Sequence, residues 1–90
     1  MSRQVRTFAI VNALGLHARA AAQLVQAANR FRSDVQIEKD DMEVNGKSIM
    51  GVLTLAAAKG AEITVSIEGE DAEAAMAMLA QVITNGFGER

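Results

Sequence analysis

The chain has 90 residues, of which 50% are hydrophobic, and its formal net charge is −2 at pH 7. This length suits one compact domain spanning residues 1–90, and the high apolar content excludes an intrinsically disordered chain. The small negative charge, together with an aromatic content limited to three phenylalanines, argues against a nucleic-acid-binding protein.

The sequence contains no cysteine, which excludes disulfides and thiolate metal sites and suits a reducing, cytoplasmic location. A single histidine and the lack of a convincing carboxylate cluster leave too few ligands for a metal ion. No apolar run approaches the roughly 20 residues that span a bilayer. We therefore expect a cytoplasmic protein without membrane insertion, metal or other cofactor.

The first elements follow from two different periodicities. Alternating residues predict a half-buried strand at 4–11, with Phe8 and Ile10 facing the core. The segment 12–15 is typical of a loop. Apolar residues then recur at helical spacing, which predicts an amphipathic helix over 18–30.

The middle of the chain predicts a β-hairpin followed by a short helix. A strand at 34–39, a tight polar turn at 40–41 and a short third strand ending near residue 45 make the hairpin. Asn45-Gly46 is a turn signal, and the residues that follow it no longer alternate. We therefore expect a short helix after this turn, with Ser48 as its N-cap.

The last third of the chain predicts a fourth strand and a final helix. Alternation favours a strand at 61–68, and Asp71 is a candidate capping acid for a helix over 72–85 that ends at Gly86. The resulting order, β-α-β-β-α-β-α, is typical of an α+β domain. Its four-stranded antiparallel sheet would carry three helices on one face.

His17 is the only histidine and lies where the first helix begins. Unpaired N–H groups at a helix N-terminus attract anions and disfavour a charged imidazolium ring, so this position suits a histidine that accepts a phosphoryl group. Arg19 would add a charge-assisted hydrogen bond to the phosphoryl oxygens. On spacing alone, however, a surface histidine beside a helix cap, with Arg19 simply solvated, is the better interpretation.

A resemblance decides between these two interpretations. The segment Gly15-Leu16-His17-Ala18-Arg19-Ala20-Ala21 resembles the active-site motif Gly-Leu-His-x-Arg-Pro-Ala of the HPr family. Members of this family are the histidine-containing phosphocarriers of the phosphoenolpyruvate-dependent phosphotransferase system. The segment 45–53 resembles the family's regulatory-serine segment. Ala20 replaces the family's proline, from which we expect a slightly less rigid helix start and retained function.

The resemblance implies a fold, a reaction and partners. The fold is an open-faced β-sandwich. His17 would receive a phosphoryl group on Nδ1 from Enzyme I, which draws it from phosphoenolpyruvate, and would pass it to Enzyme IIA domains in a sugar or regulatory branch. Arg19 would stabilise the phosphoryl group, and Ser48 corresponds to the serine that HPr kinase/phosphorylase modifies in many bacteria. Such a carrier is a protein substrate and not an enzyme.

The resemblance also implies a docking surface beside His17. Its candidate residues are Leu16, Lys47, Ile49, Met50 and Leu53. The alternative is that the apolar residues of the short helix belong to the core, as we expect for Val52. Lys47 and Arg19 would together give this surface a local positive charge.

Three functions remain open at this point. The first is a monomeric phosphocarrier that acts through His17. The second is mainly a regulatory interaction module controlled by Ser48 phosphorylation, in a nitrogen-type or carbon-regulation branch rather than in sugar uptake. The third is an α+β binding domain that is not phosphorylated. For Ser48, the alternative is a helix cap without a regulatory role.

Overall fold

The computed structural model describes residues 2–89. Its elements follow the predicted order and end in a short 3₁₀ turn: β1 (Ser2–Ala9), α1 (Ala18–Ala28), β2 (Asp34–Lys39), β3 (Met42–Asn45), α2 (Ile49–Thr54), β4 (Glu62–Gly69), α3 (Ala72–Thr84) and Gly86–Gly88. The predicted α+β class is confirmed.

The sheet is antiparallel throughout, with the strand order β1-β4-β2-β3. The strand β4 lies in the interior and buries Ile63, Val65 and Ile67 on one face, as their alternation predicts. The other face is left open by the helices, and there Thr7 and Thr64 form a cross-strand hydrogen bond of 3.0 Å. This one-sided burial is the predicted open-faced sandwich.

The helices form a second layer over the buried face of the sheet. The helix α3 packs against β1 and β4, and α1 packs against both α3 and α2. Apolar side chains from the two layers form one buried cluster, in which Phe8, Ile10 and Val52 lie as expected. Complete burial of a side chain such as Ile or Leu contributes about 1.5–3 kcal/mol, so this cluster supplies most of the driving force for folding.

Three predicted boundaries, in two elements, differ from the structure by two residues. The strand β1 begins and ends earlier than 4–11 because its ladder with β4 runs from Ser2 to Ala9. The helix α1 ends at Ala28 instead of residue 30. The Asn29 N–H still donates four residues back, to Val25, but the N–H groups of Arg30 and Phe31 donate to carbonyls only three residues back, at 3.2 Å, which is a tighter turn than an α-helix.

Asp71 lies at the N-cap position of α3, but its side chain makes no cap hydrogen bond there, so that the predicted capping role is wrong. Its carboxylate instead accepts the backbone N–H groups of Arg32 and Ser33, each at 2.9 Å, and the Ser33 hydroxyl. These bonds, with that of the Ser33 hydroxyl first, lower the pKa of Asp71 from 3.8 to about 2. Asp71 thus joins the start of α3 to the loop between α1 and β2.

Within residues 2–89, none of the helices combines the length and the apolar character that crossing a bilayer requires.

Candidate functional site

The loop that carries His17 is fixed by backbone hydrogen bonds to the segment between α2 and β4. The Ile10 N–H donates to the Ala61 carbonyl at 2.9 Å, and the Gly60 N–H donates to the Ile10 carbonyl at 2.8 Å. Further along, the Leu16 N–H donates to the Ala57 carbonyl at 2.8 Å. These bonds hold the loop on both sides, so that the start of α1 is placed by long-range contacts.

Gly15 allows this close approach of the loop. Its φ is +68°, a conformation that side chains rarely adopt, and a Cβ atom built there would lie 2.5 Å from the Ala57 carbonyl oxygen. Any larger residue would displace the Leu16–Ala57 hydrogen bond. The glycine of the Gly-Leu-His motif therefore serves to place His17 at the helix start.

His17 is the N-cap of α1 and has an extended backbone, with φ −76° and ψ −179°. Its carbonyl accepts the first hydrogen bond of the helix, from the Ala21 N–H at 2.8 Å. The amides of residues 18–20 consequently have no partner within the helix and carry its partial positive charge. The imidazole is 30% exposed, so the predicted nucleophile lies at a helix start and remains accessible.

The structure adds two residues that the sequence did not reveal, Asn12 and Glu89. The His17 Nε2 atom is in hydrogen-bonding contact with the Glu89 carboxylate. The other oxygen of that carboxylate accepts from Asn12 Nδ2 at 2.8 Å, and the same amide nitrogen donates to the Gly15 carbonyl at 2.8 Å. Asn12 was predicted only as part of a loop, and nothing in the sequence connects Glu89 with a residue 72 positions earlier.

The charge of Glu89 is stabilised by its surroundings. The hydrogen bond from Asn12 is the largest influence that lowers its pKa, and the contact with His17 and the positive charge of Arg19 act in the same direction. Burial opposes these effects but does not reverse them. At neutral pH the site therefore holds a carboxylate, and not a carboxylic acid, against the imidazole, while Arg19 itself is exposed.

Ser48 caps α2, as its position predicted. Its hydroxyl oxygen accepts the Gly51 N–H at 3.1 Å, and the side chain is half-buried. A phosphoryl group on this hydroxyl would lie at a helix start, where negative charge is favourable.

The candidate docking residues do not form one exposed set. Met50 is 77% exposed and Ile49 is 42% exposed, whereas Leu53 is half-buried. Leu16 is only 4% exposed and belongs to the core, so its expected contact with partners is wrong. Its backbone N–H donates to the Ala57 carbonyl, and its side chain joins the buried apolar cluster.

Lys47 does not share a surface with Arg19, in contrast to our expectation. Its Nζ donates at 2.7 Å to the carbonyl of Phe31, which lies just beyond the last residue of α1. The 11 residues of α1 span about 16 Å at 1.5 Å per residue. The ammonium group is thus held near the end of the helix opposite to His17, and the local positive charge comes from Arg19 and the helix terminus.

Two exposed apolar residues flank the site in the loop itself. Leu14 is 71% exposed and Val11 is 49% exposed. Their position in a loop did not indicate whether their side chains would be buried or exposed. Over the described part of the chain, no three His, Cys, Asp or Glu side chains come together as a metal-binding group.

Comparisons with known proteins agree on one family. A family model described as the PTS HPr component phosphorylation site matches residues 4–85. A phosphocarrier protein HPr of Neisseria meningitidis is 50% identical over 80 residues, which cover 89% of this chain and 90% of the relative. The HPr-like protein Crh of Bacillus subtilis is 52% identical over 69 residues, which cover 77% of this chain and 81% of Crh.

Solved structures give the same result. HPr of Thermoanaerobacter tengcongensis has a TM-score of 0.93 at 44% identity, with 97% of this chain and 98% of that chain covered. A dimer of HPr from the same organism has a TM-score of 0.78 at 45% identity, with 91% and 94% covered. Crh, seen as a dimer with a swapping domain, reaches 0.75 at 49% identity, with 82% and 85% covered. The chain belongs to the HPr family of phosphocarrier proteins of the phosphotransferase system.

Proposed function

We propose that the chain accepts a phosphoryl group on Nδ1 of His17 from Enzyme I and passes it to Enzyme IIA domains. The observation that carries this proposal is the position of His17, whose accessible imidazole stands at the first turn of α1, beside amides without intrahelical partners. Phosphoryl transfer depends mainly on positioning and electrostatic stabilisation, and a helix start supplies both. The protein acts in the cytoplasm as a carrier and does not turn over a substrate of its own.

Arg19 is the proposed stabiliser of the transferred group. It is exposed and follows His17 by two residues, and its charge already acts on the neighbouring Glu89 carboxylate. A guanidinium group donates paired hydrogen bonds to phosphoryl oxygens, which strengthen as charge develops on them. Met50 and Ile49, both exposed, and Leu53 beside them are the proposed apolar contacts with Enzyme I and Enzyme IIA. Methionine suits such a surface because it adapts to several partners.

Incubation with Enzyme I and radiolabelled phosphoenolpyruvate tests this function. We expect an acid-labile, hydroxylamine-sensitive label on the protein and none on His17→Ala. Arg19→Ala should take up the label about tenfold more slowly, the range of a lost charge-assisted hydrogen bond. Arg30→Ala is the matched control, because Arg30 is an exposed arginine beyond the other end of α1. Equal labelling of His17→Ala and the parent would refute the proposal.

Regulation through Ser48 is the second candidate function. Crh, to which the chain is similar, is a catabolite repression protein, and Ser48 caps α2 at a position where a phosphoryl group would be tolerated. The probe is ATP together with HPr kinase/phosphorylase. An acid-stable label that is absent from Ser48→Ala would establish this branch, and an unlabelled parent would exclude this kinase as a partner.

We further propose that the protein is a monomer. The strand β1 lies at an edge of the sheet and carries the exposed residues Arg3 and Arg6, and the opposite edge strand, β3, carries the exposed Glu43. Charged side chains on edge strands oppose pairing between chains. Light scattering coupled to gel filtration should therefore give the mass of one 9.5 kDa chain, whereas a doubled mass would indicate a dimer of the kind known for Crh.

A further inference from the structure

We propose that Glu89 is a positioning residue for phosphoryl transfer, which holds the Nε2 proton of His17 so that the Nδ1 lone pair is free to attack. This inference rests on the proposed function at His17. The matched part of the family model ends at residue 85, so Glu89 lies outside the segment that defines the family resemblance.

The first step concerns the proton between the two side chains. An ionised carboxylate only accepts hydrogen bonds, so the imidazole nitrogen in contact with it must carry a hydrogen. The atom in contact is Nε2. In the neutral ring the second nitrogen, Nδ1, is then the one with a free lone pair. The carboxylate thereby selects the tautomer that has its nucleophilic atom at Nδ1.

The second step concerns what holds the carboxylate in place. Asn12 is buried, with 3% of its surface exposed, and its Nδ2 bridges the Glu89 carboxylate and the Gly15 carbonyl. Glu89 follows the 3₁₀ turn Gly86–Gly88, in which Phe87 is 1% exposed and anchors the segment in the core. The backbone of Glu89 is thus held by the buried Phe87 two residues earlier, and its carboxylate is held by the hydrogen bond from Asn12.

The third step is the balance of the transfer. The Nδ1 lone pair of His17 forms the new P–N bond, while the bond between phosphorus and the donor atom of Enzyme I breaks and returns its electron pair to that donor atom. The His17 ring keeps its Nε2 hydrogen and becomes positively charged. Glu89 faces that charge from the Nε2 side, away from the phosphoryl group on Nδ1, and stabilises it as it develops. Transfer to the acceptor reverses these changes, and no proton enters or leaves the ring.

The experiment uses the full chain and two readouts. The first is NMR of the His17 ring, where the Nε2-bound hydrogen should give a downfield signal that is protected from exchange with solvent. The second is the initial rate of labelling by Enzyme I and phosphoenolpyruvate. The variants are Glu89→Ala and Glu89→Gln, whose amide oxygen still accepts a hydrogen bond but carries no charge. Glu70→Ala is the control. Glu70 is exposed and follows the last residue of β4, whereas the loop of the site is bonded to the segment that precedes the first residue of β4.

We expect Glu89→Ala to lose the protected signal and to be labelled about tenfold more slowly, at a temperature where both proteins are fully folded. Glu89→Gln should keep the signal and show an intermediate rate, and Glu70→Ala should match the parent in both readouts. A parent without the protected signal would overturn the proposal. So would a Glu89→Ala rate equal to or above that of the parent, because the carboxylate would then be idle or would compete with the phosphoryl group.

The failure of this inference is distinguishable from that of the proposed function. If His17→Ala abolishes labelling while Glu89→Ala leaves the rate unchanged, the carrier function stands and the role of Glu89 falls. If the parent takes up no label at all, the carrier function falls, whatever the NMR signal of His17 shows.

Discussion

At the scale of single residues, Asn12 has a different role in the folded protein from the one that its residue type predicts. Asparagine in a Gly-containing loop predicts a turn, yet Asn12 is buried and donates to both Gly15 and Glu89. Its Oδ1 is buried without a hydrogen-bond partner among the described residues, whereas both Nδ2 hydrogens are used at the site. The position of this amide therefore follows from the folded loop and not from the residue type.

Ser48 gives a prediction at the same scale. Ser48→Ala removes the acceptor for the Gly51 N–H and should lower the free energy of unfolding by about 1 kcal/mol. Urea denaturation measures the change. Ser48→Asp is the matched variant, because aspartate caps helices equally well and adds negative charge where the helix favours it, so we expect its stability to equal that of the parent. A Ser48→Asp protein as unstable as Ser48→Ala would mean that the cap does not tolerate this charge.

At the scale of elements, the start of α1 decides the chemistry of the site. The structure places Ala20 in the first turn, where its N–H has no partner within the helix, and buries its methyl group completely. The family motif has a proline at this position, which lacks that N–H. The chain therefore offers one more amide at the helix start than the family motif does.

Replacing Ala20 by proline tests both consequences of this difference. The fixed φ of proline should raise the free energy of unfolding by about 0.4–1 kcal/mol, as measured by urea denaturation, because the unfolded chain loses freedom. Labelling by Enzyme I should persist, since His17 and Arg19 are unchanged. Ala18→Pro is a useful comparison, because Ala18 is exposed at the first position of the helix, where proline is favoured. Destabilisation by Ala20→Pro alone would show that the core around Ala20 has no room for the ring.

At the scale of the whole molecule, two carboxylates join segments that are distant in the chain. Glu89 connects the end of the described chain with the start of α1, and Asp71 connects the start of α3 with the loop after α1. Both therefore fix how the helical layer is assembled around the site. Because these contacts form only in the folded chain, they make its stability depend on pH.

Asp71 gives the clearer pH prediction. Its pKa is about 2 in the folded protein against an ordinary value of 3.8. The depressed value means that the ionised carboxylate stabilises the fold at every pH above 3.8, and that this contribution disappears as the pH falls through 2. Asp71→Asn should therefore be less stable than the parent at pH 7, and the difference should shrink between about pH 4 and pH 2.

Thermal unfolding across this pH range measures the effect. Asp41→Asn is the control, because Asp41 is exposed in the hairpin turn, and its difference from the parent should not follow this pattern. A stability difference between Asp71→Asn and the parent that stays constant down to pH 2 would contradict the assignment.

The sequence by itself determined the elements, their order and the place of His17, since these depend on local patterns. Alternation in β4 and helical spacing in α1 follow from backbone geometry within a few residues, and the cap at Ser48 needs only its neighbours in the chain. The resemblance of two short segments then gave the family, which the comparisons confirm.

Only the tertiary structure decided which distant side chains meet. It placed Glu89 against His17, buried Leu16, held Lys47 at the other end of α1 and turned Asp71 toward Ser33. Each of these contacts joins segments that are far apart in the chain or depends on such a junction. Local periodicity carries no information about them, because they arise only when the two layers pack together.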